Sequence, residues 1–253
     1  MPPKKTAFLF IPGAWCPAYF FHKVTEKLQA QGYTAQALDL PSIGKKATTP
    51  GLQDDIAYVR SAATALLDAG KDLVIVGNSY GGFVTLESAK TLVKSARDHV
   101  VGGGELKHLI LISSFCAEVG DTMKALATDA PLPASPGEDP WIEPVPGEMN
   151  YRFLCGSLSE EEGLRYGNMV RAQCVRPMFE PLTFAAYEVV ETTVVVGGRD
   201  CALRPEVQEK SFRSAVERGV EGLRLVVLAE GDHCLMLGLP DEVVGVCVGV
   251  GGV

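Results

Sequence analysis

No stretch of this chain approaches the ~18–20 consecutive apolar residues that a membrane span needs. The C-terminal run from Val243 is apolar but interrupted by glycines. There is no C-x-x-C pair either. The seven cysteines, at positions 16, 116, 155, 174, 201, 234 and 247, are odd in number and scattered. That usage points to reduced, mostly buried thiols and away from a disulfide frame. Basic charge is scarce: 23 Lys and Arg stand against 31 Asp and Glu, a formal net charge of −8. A phosphate backbone would be repelled, which argues against nucleic acid as a partner. The apolar run 7–11 is too short for the h-region of a signal peptide and has no small-residue cleavage site after it. Together these absences set the expectation of a cytoplasmic protein without a membrane partner.

What is present is 253 residues, 47% of them hydrophobic, long enough for one full core and short for two. Short apolar runs alternate with amphipathic stretches, the pattern of a mostly parallel sheet with helices on both faces. Strands are expected at 7–11, 34–38, 73–76, 106–112, 189–196 and 223–228. Helices are expected at 20–31, 52–68, from Gly82 to about 94, and at 206–217. Between Ser113 and about Glu188 the alternation lapses. Prolines crowd between Pro131 and Pro146, and one run, 159–173, has helical spacing. Unstructured loops of that length are rare in compact domains. Residues 115–188 therefore read as a cap inserted into a core domain made of 1–114 and 189–253. The Val/Gly pattern of 241–253 makes a poor helix and receives no assignment.

Gly77-Asn78-Ser79-Tyr80-Gly81 is G-x-S-x-G, set between an apolar strand and a helix. A tight strand–turn–helix needs small flanking residues. It lifts the serine hydroxyl above the sheet at a helix N-terminus, where backbone N–H groups favour developing negative charge. Serine is a weak nucleophile without a base. Of the four histidines, at 22, 99, 108 and 233, only His233 follows both a candidate acid and the final strand. Its loop falls at the carboxyl edge of the sheet, where open α/β folds bind ligands. Asp200, after Val196-Gly197-Gly198-Arg199, takes the place of the orienting acid, with Asp232 and Glu118 as rivals. The oxyanion hole needs backbone donors. One is the N–H of Tyr80; the second comes from Pro12-Gly13-Ala14-Trp15, with Ala14 preferred and Trp15 as runner-up. Trp15 otherwise walls the pocket or packs in the core.

Five segments carry a resemblance: Ile11-Pro12-Gly13-Ala14-Trp15, Leu38-Asp39-Leu40-Pro41, Gly77-Asn78-Ser79-Tyr80-Gly81-Gly82, Gly197-Gly198-Arg199-Asp200 and Gly231-Asp232-His233. Over nearly its whole length the chain resembles the α/β-hydrolase superfamily. It is most like the small esterase-like branch that holds plant methylesterases, hydroxynitrile lyases and related microbial hydrolases. The resemblance implies the α/β-hydrolase fold with an eight-stranded, mostly parallel sheet, and triad places for Ser79, Asp200 and His233. Members usually carry His before the oxyanion-loop glycine, where this chain has Pro12. The departure touches the hydrogen bonding around that loop, not its backbone donors. Hydroxynitrile lyases of this branch place Lys after the catalytic His; here Cys234 stands there, which weakens a lyase reading. Ser79, in place of the Asp nucleophile of dehalogenases and epoxide hydrolases, points to acyl chemistry.

The expected reaction is hydrolysis of a small ester, thioester or lactone, with no metal or organic cofactor. The expected partner is a small-molecule substrate, with a homodimer as a further possibility. Phe115, Trp141 and Phe153 are candidate pocket-lining residues. Two other readings stand beside this one: non-hydrolytic chemistry on the same triad, such as a lyase or a cyclisation of a polyketide-like substrate, and a receptor-like protein that holds a ligand with little turnover.

Overall fold

The computed structural model describes residues 4–97, 102–128 and 132–251. In chain order these form β1 (Thr6–Ile11), a 3-10 turn at Ala18–Phe21, α1 (His22–Ala30), β2 (Thr34–Ala37), α2 (Leu52–Asp68), β3 (Asp72–Asn78), α3 (Tyr80–Ser88) and β4 (Leu106–Ile112). There follow α4 (Met123–Leu126), β5 (Trp141–Ile142), α5 (Gly147–Leu154), α6 (Glu160–Gly167) and β6 (Gln173–Cys174). The chain closes with β7 (Thr192–Gly197), α7 (Pro205–Glu217), β8 (Leu223–Leu228), α8 (Leu235–Gly238) and α9 (Pro240–Gly251).

The central strands are apolar on both faces, and their period of two divides the core. Ala7, Leu9 and Ile11 of β1, with Leu73 and Ile75 of β3, join one cluster. Phe8 and Phe10, with Val74 and Val76, join the other. Leu52, Ile56, Val59, Ala63 and Leu67 of α2, with Phe83 and Val84 of α3, cover the first face. Val24 and Leu28 of α1, with Val243, Val244 and Cys247 of α9, cover the second.

The sheet runs β2-β1-β3-β4-β7-β8, and every pairing in it is parallel. It has six strands among the described residues, not the eight that the resemblance implies. The remaining two, β5 and β6, form a separate antiparallel pair inside the segment between β4 and β7. Buried Glu87 of α3 fastens the end of that segment: its carboxylate accepts the Thr183 N–H and Oγ1 at 2.7 and 2.6 Å and the Phe184 N–H at 3.0 Å.

Several boundaries move. The run 20–31 splits into the 3-10 turn and α1, and α3 ends at Ser88. Strand β7 starts at Thr192 and not at residue 189. In the run 159–173 only Glu160–Gly167 is helical; Ser159 caps it, its Oγ accepting the Glu162 N–H at 3.3 Å. All seven cysteines are free, and only Cys201 is exposed. Among the described residues no helix is long and apolar enough to cross a membrane.

The largest correction is the C-terminal segment. Despite Gly245 and Gly249 it is the helix α9, with Asp241 and Glu242 in its first turn, where acidic groups suit the helix dipole. Packing overrides propensity here: Val243, Val244 and Cys247 line its buried face. The Thr6 hydroxyl also donates to the Gly251 carbonyl at 2.8 Å. A Cβ added at Gly245 or Gly249 would meet nothing within 4 Å. Gly245→Ala and Gly249→Ala are each expected to stabilise the protein by about 0.5–1 kcal/mol, measured by urea unfolding; a loss of stability in either would mean that these glycines have a packing role.

Candidate active site

Strand β3 runs directly into Ser79, whose backbone lies at φ 53°, ψ −122° before α3 begins at Tyr80. Two glycines make the turn possible by close approach. A Cβ on Gly77 would sit 2.5 Å from Gly81 O and Thr85 Oγ1, and one on Gly81 would sit 2.2 Å from Ile11 O and 2.5 Å from Pro12 O. The Ser79 N–H donates to Ile112 O at 2.9 Å, and the Ser114 hydroxyl donates to Ser79 O at 2.8 Å. Among the described residues three that are not glycine have positive φ: Trp15 at 63°, Ser79 at 53° and Ser113 at 47°. They follow β1, β3 and β4 respectively. Left-handed non-glycine backbone costs free energy and gathers at functional sites, here at the carboxyl edge of the sheet.

Asp200 and His233 meet at the same edge, after β7 and β8. His233 Nδ1 lies 3.0 and 2.9 Å from the two Asp200 carboxylate oxygens. The carboxylate is also held by the N–H groups of Ala202 and Leu203 on Oδ1, at 2.9 and 2.8 Å, and by Gln208 Nε2 on Oδ2, at 2.8 Å. Burial alone would lower the His233 pKa; the charge and hydrogen bond of Asp200, with the charge of Asp232, outweigh it, and the net direction is upward. The Asn78 side chain donates to His233 O at 3.1 Å, tying the histidine loop to the turn that carries Ser79.

The rival acids point elsewhere. Asp232 Oδ2 accepts the Ser157 N–H and hydroxyl at 3.0 and 2.6 Å, and its Oδ1 accepts the Cys234 N–H at 3.0 Å. Glu118 pairs with Arg218 at 2.5 Å. Of the other histidines, His22 stacks on Tyr19 at 4.2 Å between ring centroids. His108 bonds Thr193 Oγ1 at 2.8 Å, its pKa pushed down to about 4 by burial. His99 lies outside the described residues.

Tyr80 is the first residue of α3, so its N–H has no carbonyl of its own helix to donate to. The Trp15 N–H is already given to Gln173 Oε1 at 3.0 Å. Its ring, half-buried, packs against both core clusters. Ala14 is likewise half-buried. Phe115 is buried in the core cluster on the α2 and α3 face, and Trp141 packs with Ala172 and Cys174. Phe153 lies on α5 with 49% of its surface exposed. An open cavity of about 560 Å³ is bordered by Tyr151, Ser157, Arg199 and Asp232, but by neither Ser79 nor His233. Among the described residues no group of three His, Cys, Asp or Glu is gathered as a metal site.

A buried network stands behind the turn that the sequence reading missed. Asp55 of α2 accepts the Tyr80 hydroxyl and the Ser42 hydroxyl, both at 2.6 Å, and the Ser42 N–H at 2.9 Å. Burial raises the Asp55 pKa, and the bonds from Ser42 and Tyr80 offset part of that. A signal existed: position 55 falls on the buried face of α2 with Leu52, Ile56 and Val59, where an acid requires partners.

An open parallel sheet that brings its strained turns and a buried imidazole–carboxylate pair to one edge has the layout of an α/β-hydrolase. The sequence agrees: the chain belongs to the alpha/beta hydrolase family, whose model matches residues 8–246. It is 25% identical over 251 residues to the alpha/beta hydrolase nvfD of Aspergillus novofumigatus, covering 95% of this chain and 94% of the relative. Among solved structures it resembles polyneuridine aldehyde esterase (TM-score 0.74, 16% identity, 98% of this chain and 99% of that one). It also resembles a pyrethroid hydrolase of Sphingobium faniae JZ-2 (TM-score 0.74, 16% identity, 98% and 97%). At such identities the two structures speak for a shared fold.

Gly81→Ala is expected to destabilise the protein by about 3 kcal/mol, because its methyl group would press on backbone, which cannot rotate away. Chemical denaturation tests this; wild-type stability in the variant would refute the close approach of the two turns.

Proposed function

We propose that the chain is a carboxylic-ester hydrolase that acts on a small ester, thioester or lactone through Ser79, His233 and Asp200. The observation that carries this reading is the buried His233–Asp200 pair, tied through Asn78 to the strained turn that presents Ser79. With Nδ1 committed to Asp200, the imidazole keeps Nε2 as its proton acceptor. His233 takes the Ser79 proton as Oγ attacks the acyl carbon, then delivers it to the leaving group. The N–H groups of Tyr80 and Ala14 receive the oxyanion; Ala14 is favoured over Trp15 because the Trp15 N–H is engaged by Gln173. Water, deprotonated by His233, then releases the acid from the acyl-enzyme.

Residues 115–188 act as the cap over this site. Cys234 is fully buried, and contact with the Cys16 thiol and burial hold it in the neutral form. The residue after His233 is therefore a neutral thiol and not the lysine of hydroxynitrile lyases, which favours hydrolysis over a cyanide-releasing lyase.

Wild-type protein is expected to label with a fluorophosphonate and to hydrolyse p-nitrophenyl acetate. Ser79→Ala should lose labelling and at least about 10⁴-fold in kcat; a Ser79→Ala variant that still labels would place the reactive group elsewhere. The pH profile gives a second test. The base must be neutral, and the His233 pKa is raised, so kcat/KM should fall as pH drops through a midpoint above the ordinary ~6.5. In Asp200→Asn burial is opposed only by the charge of Asp232, and the upward contributions of Asp200 are lost. The midpoint should move down, and kcat should fall on the order of 10⁴-fold as the imidazole loses its fixed tautomer. An unmoved midpoint would remove Asp200 from the role of orienting acid.

A further inference from the structure

The loop after β1 carries Pro12, a residue with no N–H and no side-chain polar group to hold the loop. Its conformation is also unfavourable, since Trp15 holds φ 63° without being glycine. Something must over-determine that backbone for it to persist. The structure assigns that task to Gln173, as the positioning residue of the oxyanion hole, an inference that rests on the hydrolase reading above.

Gln173 belongs to β6, in the inserted segment, and its side chain is fully buried. Its Oε1 accepts the Trp15 N–H at 3.0 Å, and its Nε2 donates to Cys174 O at 2.7 Å. The amide is thereby orientated: its donor side is used within β6, and its acceptor faces the loop. The Arg171 N–H adds a second bond, to Trp15 O, at 2.9 Å. Both backbone polar groups of Trp15 are therefore satisfied by two residues of one short stretch, Arg171 and Gln173. That short stretch is anchored in turn on the loop after β2: Gly44 N–H donates to Ala172 O at 2.7 Å, Cys174 N–H to Ser42 O at 2.8 Å, and Ile43 bridges Gln173. The other side of β6 pairs with Trp141 and Ile142 of β5.

The chemical consequence falls on the neighbouring peptide. By holding the Trp15 N–H, Gln173 withdraws it from the oxyanion and fixes the rotation of the Ala14–Trp15 segment, leaving the Ala14 N–H to face the reacting carbonyl. A donor's worth depends on where it points in the transition state, not on how the ground state is bound. Gln173 should thus govern kcat and leave KM nearly untouched, although it touches no substrate.

The test compares Gln173→Leu, Gln173→Asn and Gln173→Glu with wild type, all rates being referred to sites titrated by a fluorophosphonate so that unfolded protein does not count. Gln173→Leu removes the acceptor and should lower kcat for p-nitrophenyl acetate about 10–50-fold, with KM within about twofold. The fluorophosphonate labelling rate, whose adduct uses the same hole, should fall in parallel. Gln173→Asn draws the amide back by one methylene, should fall in the same direction, and serves alone if the Leu variant does not fold. Gln173→Glu, buried and protonated, can still accept from Trp15 and donate to Cys174 O, and should recover most of the lost rate. A folded Leu or Asn variant with wild-type kcat and labelling per titrated site overturns the assignment while leaving Ser79 as nucleophile. A wild-type protein that neither labels nor hydrolyses overturns both readings.

Discussion

The backbone at Gly81 passes the carbonyls of Ile11 and Pro12 so closely that no side-chain carbon fits between them. That approach couples the turn after β3 to the turn after β1, one carrying Ser79 and the other Ala14 and Trp15. It is set by the parallel pairing of the two strands, in which Ile11 lies opposite Gly77. Parallel register brings both strands to the same edge at the same height, and the absence of a Cβ lets the emerging loops touch. The relative placement of the serine and the loop before it is thus fixed by main chain, which is stiffer than any pair of side chains.

Side-chain carboxylates then gather the more distant parts. Asp55 joins α2 to the loop after β2 and to Tyr80. Glu87 joins α3 to the end of the segment between β4 and β7. Asp232 joins the loop after β8 to Ser157 between α5 and α6. Each is buried and accepts three hydrogen bonds, so each contact is specific as well as attractive: shifting any of these segments would strand an acid away from water. The segment between β4 and β7 is thereby stitched to the rest of the fold at several points, one of them adjacent to His233.

Much of this was legible in the sequence because it follows from local pattern. Apolar runs of four to eight residues between glycines gave the central strands, and Ser79, Asp200 and His233 each follow such a run at the same edge. What was not legible depends on partners far away in the chain. Residues 240–251 have weak intrinsic helicity, and only the apolar surface offered by α1 and β1 makes them a helix. Residues 168–173 continue the helical spacing of α6 but leave the helix, and Gln173–Cys174 become a strand, because Trp15, Ser42 and Gly44 offer this stretch backbone partners. Gln173 has no distinguishing neighbours in sequence; its importance comes from a contact 158 positions away.

The distribution of thiols has a practical side. Six of the seven are buried, and Cys201 alone is exposed, next in sequence to Asp200. A maleimide dye applied to the native protein therefore has a single address, one residue from the carboxylate that grips His233. Its fluorescence anisotropy reports the motion of the acid loop directly, on unaltered protein, during ligand addition or turnover.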